Sequence, residues 1–349
     1  MQETARNALV AAVVFVTVVA LALALWKLRV LLALLFLAFI VAAALRPGVE
    51  ALKRRRVPRG GGILLHYAGL AALVGLLLWL VVPRAVGQIQ TATSSSRLES
   101  QARQTTGVKH DILIGLKSRL EELPDGAELI DPAVEVTVTA FEILVGIVFV
   151  LAAAAYWIFE RDRTVDLVSS LLPRDKRRLV RDTWTLIDLK LGAYVRGQAI
   201  LILAVATVLS TLFWTIGLPF WLLIGVFAGI VEIVPVVGPL AAGALAVGVG
   251  LTESVTVGIA AGVAVLCVRL IEDYLVIPRV LGEAVGLSPL LVLTAVTGVA
   301  LLFGEFAVLL AIPIAAVLAT LVNVIVLDKD PAEEDVPTVI FPTRDAEAS

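Results

Sequence analysis

Cysteine and histidine are almost missing from this 349-residue chain, which has one Cys (Cys267) and two His (His66 and His110). One thiol closes no disulfide framework, and one Cys with two His builds no Cys/His metal centre. Charge is scarce as well: 17% of the residues are charged, against about 25% in a typical soluble domain. The common catalytic signatures are absent too, with no G-x-S-x-G, H-E-x-x-H, Walker A lysine or G-x-G-x-x-G. His66 opens an apolar run without a nucleophile beside it, so a structural role is expected and no catalytic residue is assigned. What remains is apolar. AVILMFWYC residues make up 60% of the chain, and the mean hydropathy is +0.99. A soluble fold of this size cannot hide that much apolar surface and still be wetted. A soluble enzyme, a disordered chain and a nucleic-acid binder are thereby excluded, and the lipid bilayer is the expected partner.

A helix needs about 20 apolar residues to cross roughly 30 Å of hydrocarbon. Runs of this kind fall at 8–26, 30–45, 63–82, 139–159, 191–216 and 254–277. The first is followed by Lys27 and Arg29 rather than by a small-residue cleavage site, which suggests a retained helix and not a signal peptide. Three polar segments lie between the runs. Segment 46–59 has six basic residues against Glu50; 84–138 has six basic and eight acidic; 160–190 has eight basic and six acidic. Lys and Arg near span ends favour the cytoplasm, so 46–59 and 160–190 are expected inside and 84–138 outside. Both termini are then expected on the cytoplasmic side. The organisation follows: membrane helices in 1–83, an extracytoplasmic helical segment in 84–138, a span at 139–159, cytoplasmic amphipathic helices in 160–190, a membrane core in 191–327, and a tail in 328–349. Ile112, Leu116, Leu120 and Leu123 form a helical stripe in the outer segment. Trp184, Leu186, Leu189 and Leu191 suggest a membrane-facing stripe in the inner one. Trp26, Trp79, Trp157, Trp214 and Trp221 fall near span ends, as an interfacial aromatic belt should. The tail has seven acidic and two basic residues and three prolines, a composition that favours disorder.

Two further apolar regions, 218–251 and 287–327, are interrupted. In the first, Pro235, Gly238 and Pro239 break the run. Proline removes a backbone donor and clashes with the preceding turn, leaving arms of about 16 and 12 residues, roughly 24 and 18 Å at 1.5 Å per residue. Neither spans comfortably, so a re-entrant hairpin is expected. Broken backbone at membrane depth is tolerated where it is buried in protein or lines a wet cavity. Discontinuous helices also build the midplane sites of many secondary transporters. Glu232, three residues before Pro235, is either a site for a coupling cation or proton or a structural carboxylate on the freed backbone N–H groups. The second region repeats the plan: Ser288 and Pro289 open it, Gly304 and Glu305 follow Phe303 at its middle, and Pro313 interrupts its second arm. Glu305 either lies at a hairpin tip or reaches solvent. In the helix at 254–277, spacings of three and four place Glu272 and Asp273 beside Arg269. That cluster is either a self-neutralised snorkelling group or a gate.

Several stretches together resemble a known family. Phe159-Glu160-Arg161-Asp162, Leu172-Pro173 and Tyr194-Val195-Arg196-Gly197-Gln198 come first. Glu232-x-x-Pro235-Val-Val-Gly238-Pro239 follows, then Asp273-Tyr274 with Pro278, Gly282, Gly286-Leu287-Ser288-Pro289, Phe303-Gly304 and Ile312-Pro313. This ordered series resembles the autoinducer-2 exporter family, also described as PerM-like permeases, over roughly residues 8–327. Ala307 stands where a glycine is expected. The resemblance implies an inner-membrane transporter assembled as a homo-oligomer, with a pentamer as the expected assembly. Some members are linked to export of the signal autoinducer-2 and others to sodium/proton antiport. It also suggests Arg196 and Gln198 as gating or coupling residues, and Gly197, Pro278 and Gly282 as hinges beside Ser288, Pro289 and Pro313.

The expected protein is an all-α, polytopic membrane transporter with about six full spans and two broken hairpins. No cofactor or metal is expected, apart from coupling to sodium ion or proton. A small polar solute would bind at Glu232, Pro235, Gly238, Pro239, Gly304 and Glu305, with Arg269, Glu272 and Asp273 as a gate. A sodium/proton antiporter without an organic substrate, or a structural or regulatory membrane protein, are the alternatives.

Overall fold

In the computed structural model, residues 2–93, 130–234, 237–277, 289–334 and 336 are described; they form helices and no strand. In chain order these are α1 (Gln2–Lys27), α2 (Arg29–Arg54), α3 (Arg59–Thr93), α4 (Ile130–Ser170) and α5 (Arg174–Ile216). Then follow α6 (Trp221–Val231), α7 (Val237–Glu253), α8 (Val255–Ile271) with a π turn (Glu272–Val276), α9 (Pro289–Phe303), a 3₁₀ turn (Glu305–Leu310) and α10 (Ala311–Ile325). Among the described residues, seven helices are long and apolar enough to cross a bilayer. Six match the expected spans. The seventh, Ala307–Ile325, is the second arm of the second interrupted region. The chain is an all-α polytopic membrane protein.

Four of the expected boundaries fall inside helices: 83/84 in α3, 138/139 and 159/160 in α4, and 190/191 in α5. With 41 and 43 residues, α4 and α5 are about 60 and 65 Å long, twice the hydrocarbon thickness. The helix therefore runs unbroken through 160 and through 190. It stops only at Leu171–Pro173, where Pro173 caps α5 with φ −53° and ψ 148°. The stripe at Ile112, Leu116, Leu120 and Leu123 lies outside the described residues.

Three side-chain groups face differently from expectation. Leu186 and Leu191 are each 1% exposed, so their stripe on α5 meets neighbouring helices and not lipid. Trp157 leaves the belt: its ring stacks on Trp184 at 5.9 Å and meets Phe39 edge-on at 5.2 Å. The outward position beside it belongs to Tyr156. Trp26, Trp79 and Trp214 are exposed, as a lipid-facing aromatic is. Composition suggests a solvated tail from 328, yet its first residues dock. Pro331 is fully buried, Val336 packs with Leu186 and Ala193, and Glu334 pairs with Lys190. Residues 337–349 lie outside the described ones.

The packing forms two main clusters. Ala38, Ala42 and Val49 of α2 meet Ile63 of α3 and Val150, Ala154 and Ile158 of α4. Val205, Leu209 and Phe213 of α5 meet Ile224 and Ala228 of α6, Ala242 and Ala246 of α7, and Ala261 and Ala264 of α8. Small residues dominate because lipid gives helices no hydrophobic reason to associate; close van der Waals approach must do it. A Cβ on Gly229 would stand 2.5 Å from the Ile202 carbonyl, and one on Gly250 would stand 2.7 Å from the Gly258 Cα. Gly225 and Gly229 on α6, and Gly258 and Gly262 on α8, four residues apart in each pair, therefore lie at helix contacts. In contrast, α1 is exposed from Leu9 to Lys27.

Candidate functional site

The first break forms as proline chemistry requires, but its arms differ from the sequence estimate. α6 has 11 residues and α7 has 17. The helix ends at Val231, four residues before Pro235, and restarts at Val237 with Gly238 and Pro239 in its first turn. There the missing N–H of proline costs nothing, because the first-turn donors have no intrahelical partner. Gly238 is buried against the carbonyl of Val231, leaving no room for a Cβ. At about 16 Å, α6 is too short to cross the membrane alone.

The pairing of α7 with α8 determines what meets this break. Gly250 touches Gly258, Gly262 faces Val247, and Gly243 faces Val265. Ser254 caps the start of α8, its hydroxyl accepting from the Val257 N–H at 3.1 Å. Carried down the antiparallel pair, this register sets Arg269 level with Pro239, beside the broken end of α6. Arg269 Nη1 donates to Glu232 Oε1 at 2.5 Å and to Glu272 Oε2 at 3.3 Å, and its Nη2 lies 2.9 Å from Asp273 Oδ1. Glu232 and Glu272 side chains are 8% and 4% exposed, whereas Asp273 is 40% exposed. One guanidinium thus serves three carboxylates, leaving two formal negative charges in excess when all are ionised. Glu272 opens the π turn, a widened backbone of the kind that recurs at functional sites. From α5, Gln198 Nε2 reaches the Glu232 carbonyl at 3.5 Å. The structure thus brings Glu232, Arg269, Glu272, Asp273 and Gln198 together, with Gly238 and Pro239 alongside.

The other residues singled out from sequence lie elsewhere. Arg196 is buried on a different face of α5, where its Nη1 donates to the Ala44 carbonyl of α2 at 3.2 Å. Gly197 is buried beside it. Gly304 makes the second break with φ 90° and ψ 175°, a conformation open in practice only to glycine. Ala307 is 1% exposed and packs with Val299 and Ala311, so the methyl found in place of a glycine is accommodated. Pro313 does not interrupt the second arm: it sits in the first turn of α10, for the same reason as Pro239 in α7. Pro289 is the first residue of α9, a position that favours proline. Pro235, Pro278, Gly282 and Ser288 lie outside the described residues, as do the side chains of Pro289 and Glu305.

Two features were not found from the sequence. The first is a charged network joining α2, α3, α4 and α5. Arg161 Nε donates to Asp188 Oδ2 at 2.7 Å and its Nη2 to Thr185 Oγ1 at 3.1 Å. Arg46 reaches Asp188 at 3.5 Å and Glu50 at 3.0 Å, and Arg59 reaches Asp162 at 3.5 Å. The motif containing Arg161 and Asp162 was visible, but its partners 27 residues onward were not. The second is a cavity of about 700 Å³ lined by Phe39, Trp157, Trp184 and Leu321 among other apolar side chains. It gives a polar solute little to bind.

Comparison with known proteins agrees with the architecture. A family model described as "AI-2E family transporter" matches residues 15–327. The "Putative transport protein YrrI" of Bacillus subtilis (strain 168) is 23% identical over 304 residues, covering 81% of this chain and 83% of that protein. The "Putative transport protein YueF" of the same organism is 25% identical over 301 residues, covering 80% and 81%. The "Putative transport protein MT0215" of Mycobacterium tuberculosis (strain CDC 1551 / Oshkosh) is 26% identical over 333 residues, covering 90% and 88%.

Proposed function

The chain belongs to the AI-2E transporter family, and on that premise we propose that it is a secondary transporter exporting a small polar metabolite or signal, of the autoinducer-2 kind, by alternating access. The observation that carries this reading is the three-to-one set of carboxylates on Arg269 at the broken end of α6. Buried charge must be compensated. Two negative charges in excess favour taking up a cation or a proton beside Glu232. Loading there competes with Arg269 for the same carboxylate. A loaded Glu232 holds Arg269 less tightly, and the guanidinium then becomes available to a polar solute. The α6–α8 unit and the second broken segment would move against a scaffold of α2–α4. The protein would lie in the plasma (inner) membrane as a homo-oligomer with both termini cytoplasmic, as the basic segments 46–59 and 160–190 suggest.

The same carboxylate excess also favours a second reading, sodium/proton antiport with no organic solute. Proteoliposomes distinguish the two. Solute flux driven by a sodium or proton gradient supports export, while sodium-dependent proton flux without added solute supports antiport. Under either reading, Glu232→Gln should abolish ion-coupled flux while the protein still elutes as a folded assembly. Wild-type rates in that variant would sink the assignment.

A further inference from the structure

Lys190 lies in the middle of α5 and is buried, at 7% exposure. Its Nζ donates to Thr320 Oγ1 of α10 at 3.2 Å and to Glu334 Oε1 at 2.6 Å. Thr320 in turn donates to the Ala316 carbonyl at 2.8 Å, so its hydroxyl hydrogen is used and its lone pair faces the ammonium. Thr320 therefore aims Lys190 without neutralising it. Among the described residues, Glu334 is the carboxylate that does neutralise it. A buried ammonium is costly unless paired, so this site requires an anion.

Glu334 arrives on a short strap. After α10 the chain reverses at Asp328 (φ 47°), with Leu327 N–H bonding the Val322 carbonyl and Lys329 N–H the Asn323 carbonyl. Asp330 Oδ1 then holds the Ala332 N–H at 2.8 Å. Pro331 and Val336 are the apolar anchors on either side of Glu334. Glu334 itself is 32% exposed on its side chain, against 8% for Lys190. The anion is thus supplied from the solvent side by a surface segment, while the cation is part of the helix bundle. Lys190 is also about 12 Å of helix rise from Gln198, which meets the Glu232 carbonyl, and Thr320 is on the arm that follows the Gly304 break.

We propose that Lys190 is a binding site for a carboxylate-bearing solute, which Glu334 occupies in cis, so that residues 328–334 are a displaceable plug. A free carboxylate and the strap compete for one ammonium, and the strap wins at rest because it is tethered. Its effective concentration is on the order of mM, so removing its carboxylate exposes the site to solute. The proposal is independent of coupling at Glu232, because it is read by binding and not by flux.

The test uses the full chain in lipid nanodiscs and titrates succinate calorimetrically at matched ionic strength. Glu334→Ala, a change on a half-exposed strap, should bind succinate about tenfold or more tightly than wild type. Adding Lys190→Met to that variant should remove the binding. Hydrogen exchange on the unaltered protein makes the same decision without relying on Lys190→Met to fold, since succinate should raise exchange at 326–334. Equal succinate affinity in wild type and Glu334→Ala, binding that survives Lys190→Met, or unchanged exchange with succinate would each overturn the proposal.

Discussion

Replacing Arg269 by methionine keeps a long apolar stem in place but removes the guanidinium that Glu232, Glu272 and Asp273 share. Glu232 and Glu272 are nearly inaccessible on their side chains, at 8% and 4% exposure. Stranding a buried partner costs about 3–5 kcal/mol. The two losses do not double, because both carboxylates face the same nitrogen and one of them can take up a proton. Asp273, 40% exposed, adds less than about 1 kcal/mol, since water screens it. The expected destabilisation is therefore about 3–5 kcal/mol, read as a shift in SDS-driven unfolding in mixed micelles. The decisive measurement is a double-mutant cycle. If the penalty comes from unneutralised carboxylates, adding Glu232→Gln to Arg269→Met should recover about 1–3 kcal/mol, making the double variant more stable than the single one. Strictly additive losses, with a coupling below ~0.5 kcal/mol, would show that Arg269 acts through its packing and that the charge argument is wrong.

Two backbone predictions test the architecture around that cluster. Gly229→Val places a Cβ 2.5 Å from the Ile202 carbonyl and 2.7 Å from the Ala206 Cβ, forcing α6 off α5 at a cost of about 1–3 kcal/mol or more; Gly75→Val on α3, with nothing within 4 Å, is the control and should change unfolding little. Gly304→Ala imposes a side chain on a φ of 90° and should cost about 1–3 kcal/mol. Because its Cβ would also meet nothing within 4 Å, Gly304→Ser should cost the same as Ala, and a neutral Gly304→Ala would show that the break tolerates another conformation.

Legibility in the sequence followed the range of the interaction. The breaks between α6 and α7 and at Gly304 were readable because proline and glycine act on their own turn. The Arg269, Glu272 and Asp273 group was readable because spacings of three and four share a helix face. That Glu232 joins this group was not, since it depends on the register of α7 on α8, which is set by backbone contact at Gly250 and Gly258. The Arg161–Asp188 and Lys190–Glu334 pairs span 27 and 144 residues and leave no periodic trace. Trp157 and Leu186 misled for a related reason: in an apolar chain, a hydrophobic stripe does not distinguish a lipid-facing side from a helix-facing one. The start of the tail misled because composition averages over its whole length, while Pro331 and Val336 are buried individually.

α5 links the two packing clusters, and it is tied to the helices of each by different chemistry. Its first half is tied to α2 and α4 by charge: Asp188 holds Arg161 at 2.7 Å and Arg46 at 3.5 Å. Its second half is tied to α6 and α8 by shape, through Gly225 against Ser210, Gly229 against Ile202, and the Val205–Phe213 cluster. Charge-assisted bonds fix geometry tightly, and close backbone contacts leave little room to slide. Neither half can easily leave its neighbours. The helix itself runs without interruption between them, so relative motion of the two clusters must be absorbed within α5, between Asp188 and Leu201. That stretch contains Gly192 and Gly197, and glycine pairs are among the few identifiable causes of helix bending. Gly192 already abuts the Ala43 carbonyl, which fixes it on the α2 side. Gly197, five residues further on, is then the first glycine past that contact. Under alternating access, the bend is expected there, one residue from Gln198 and its contact with the broken end of α6.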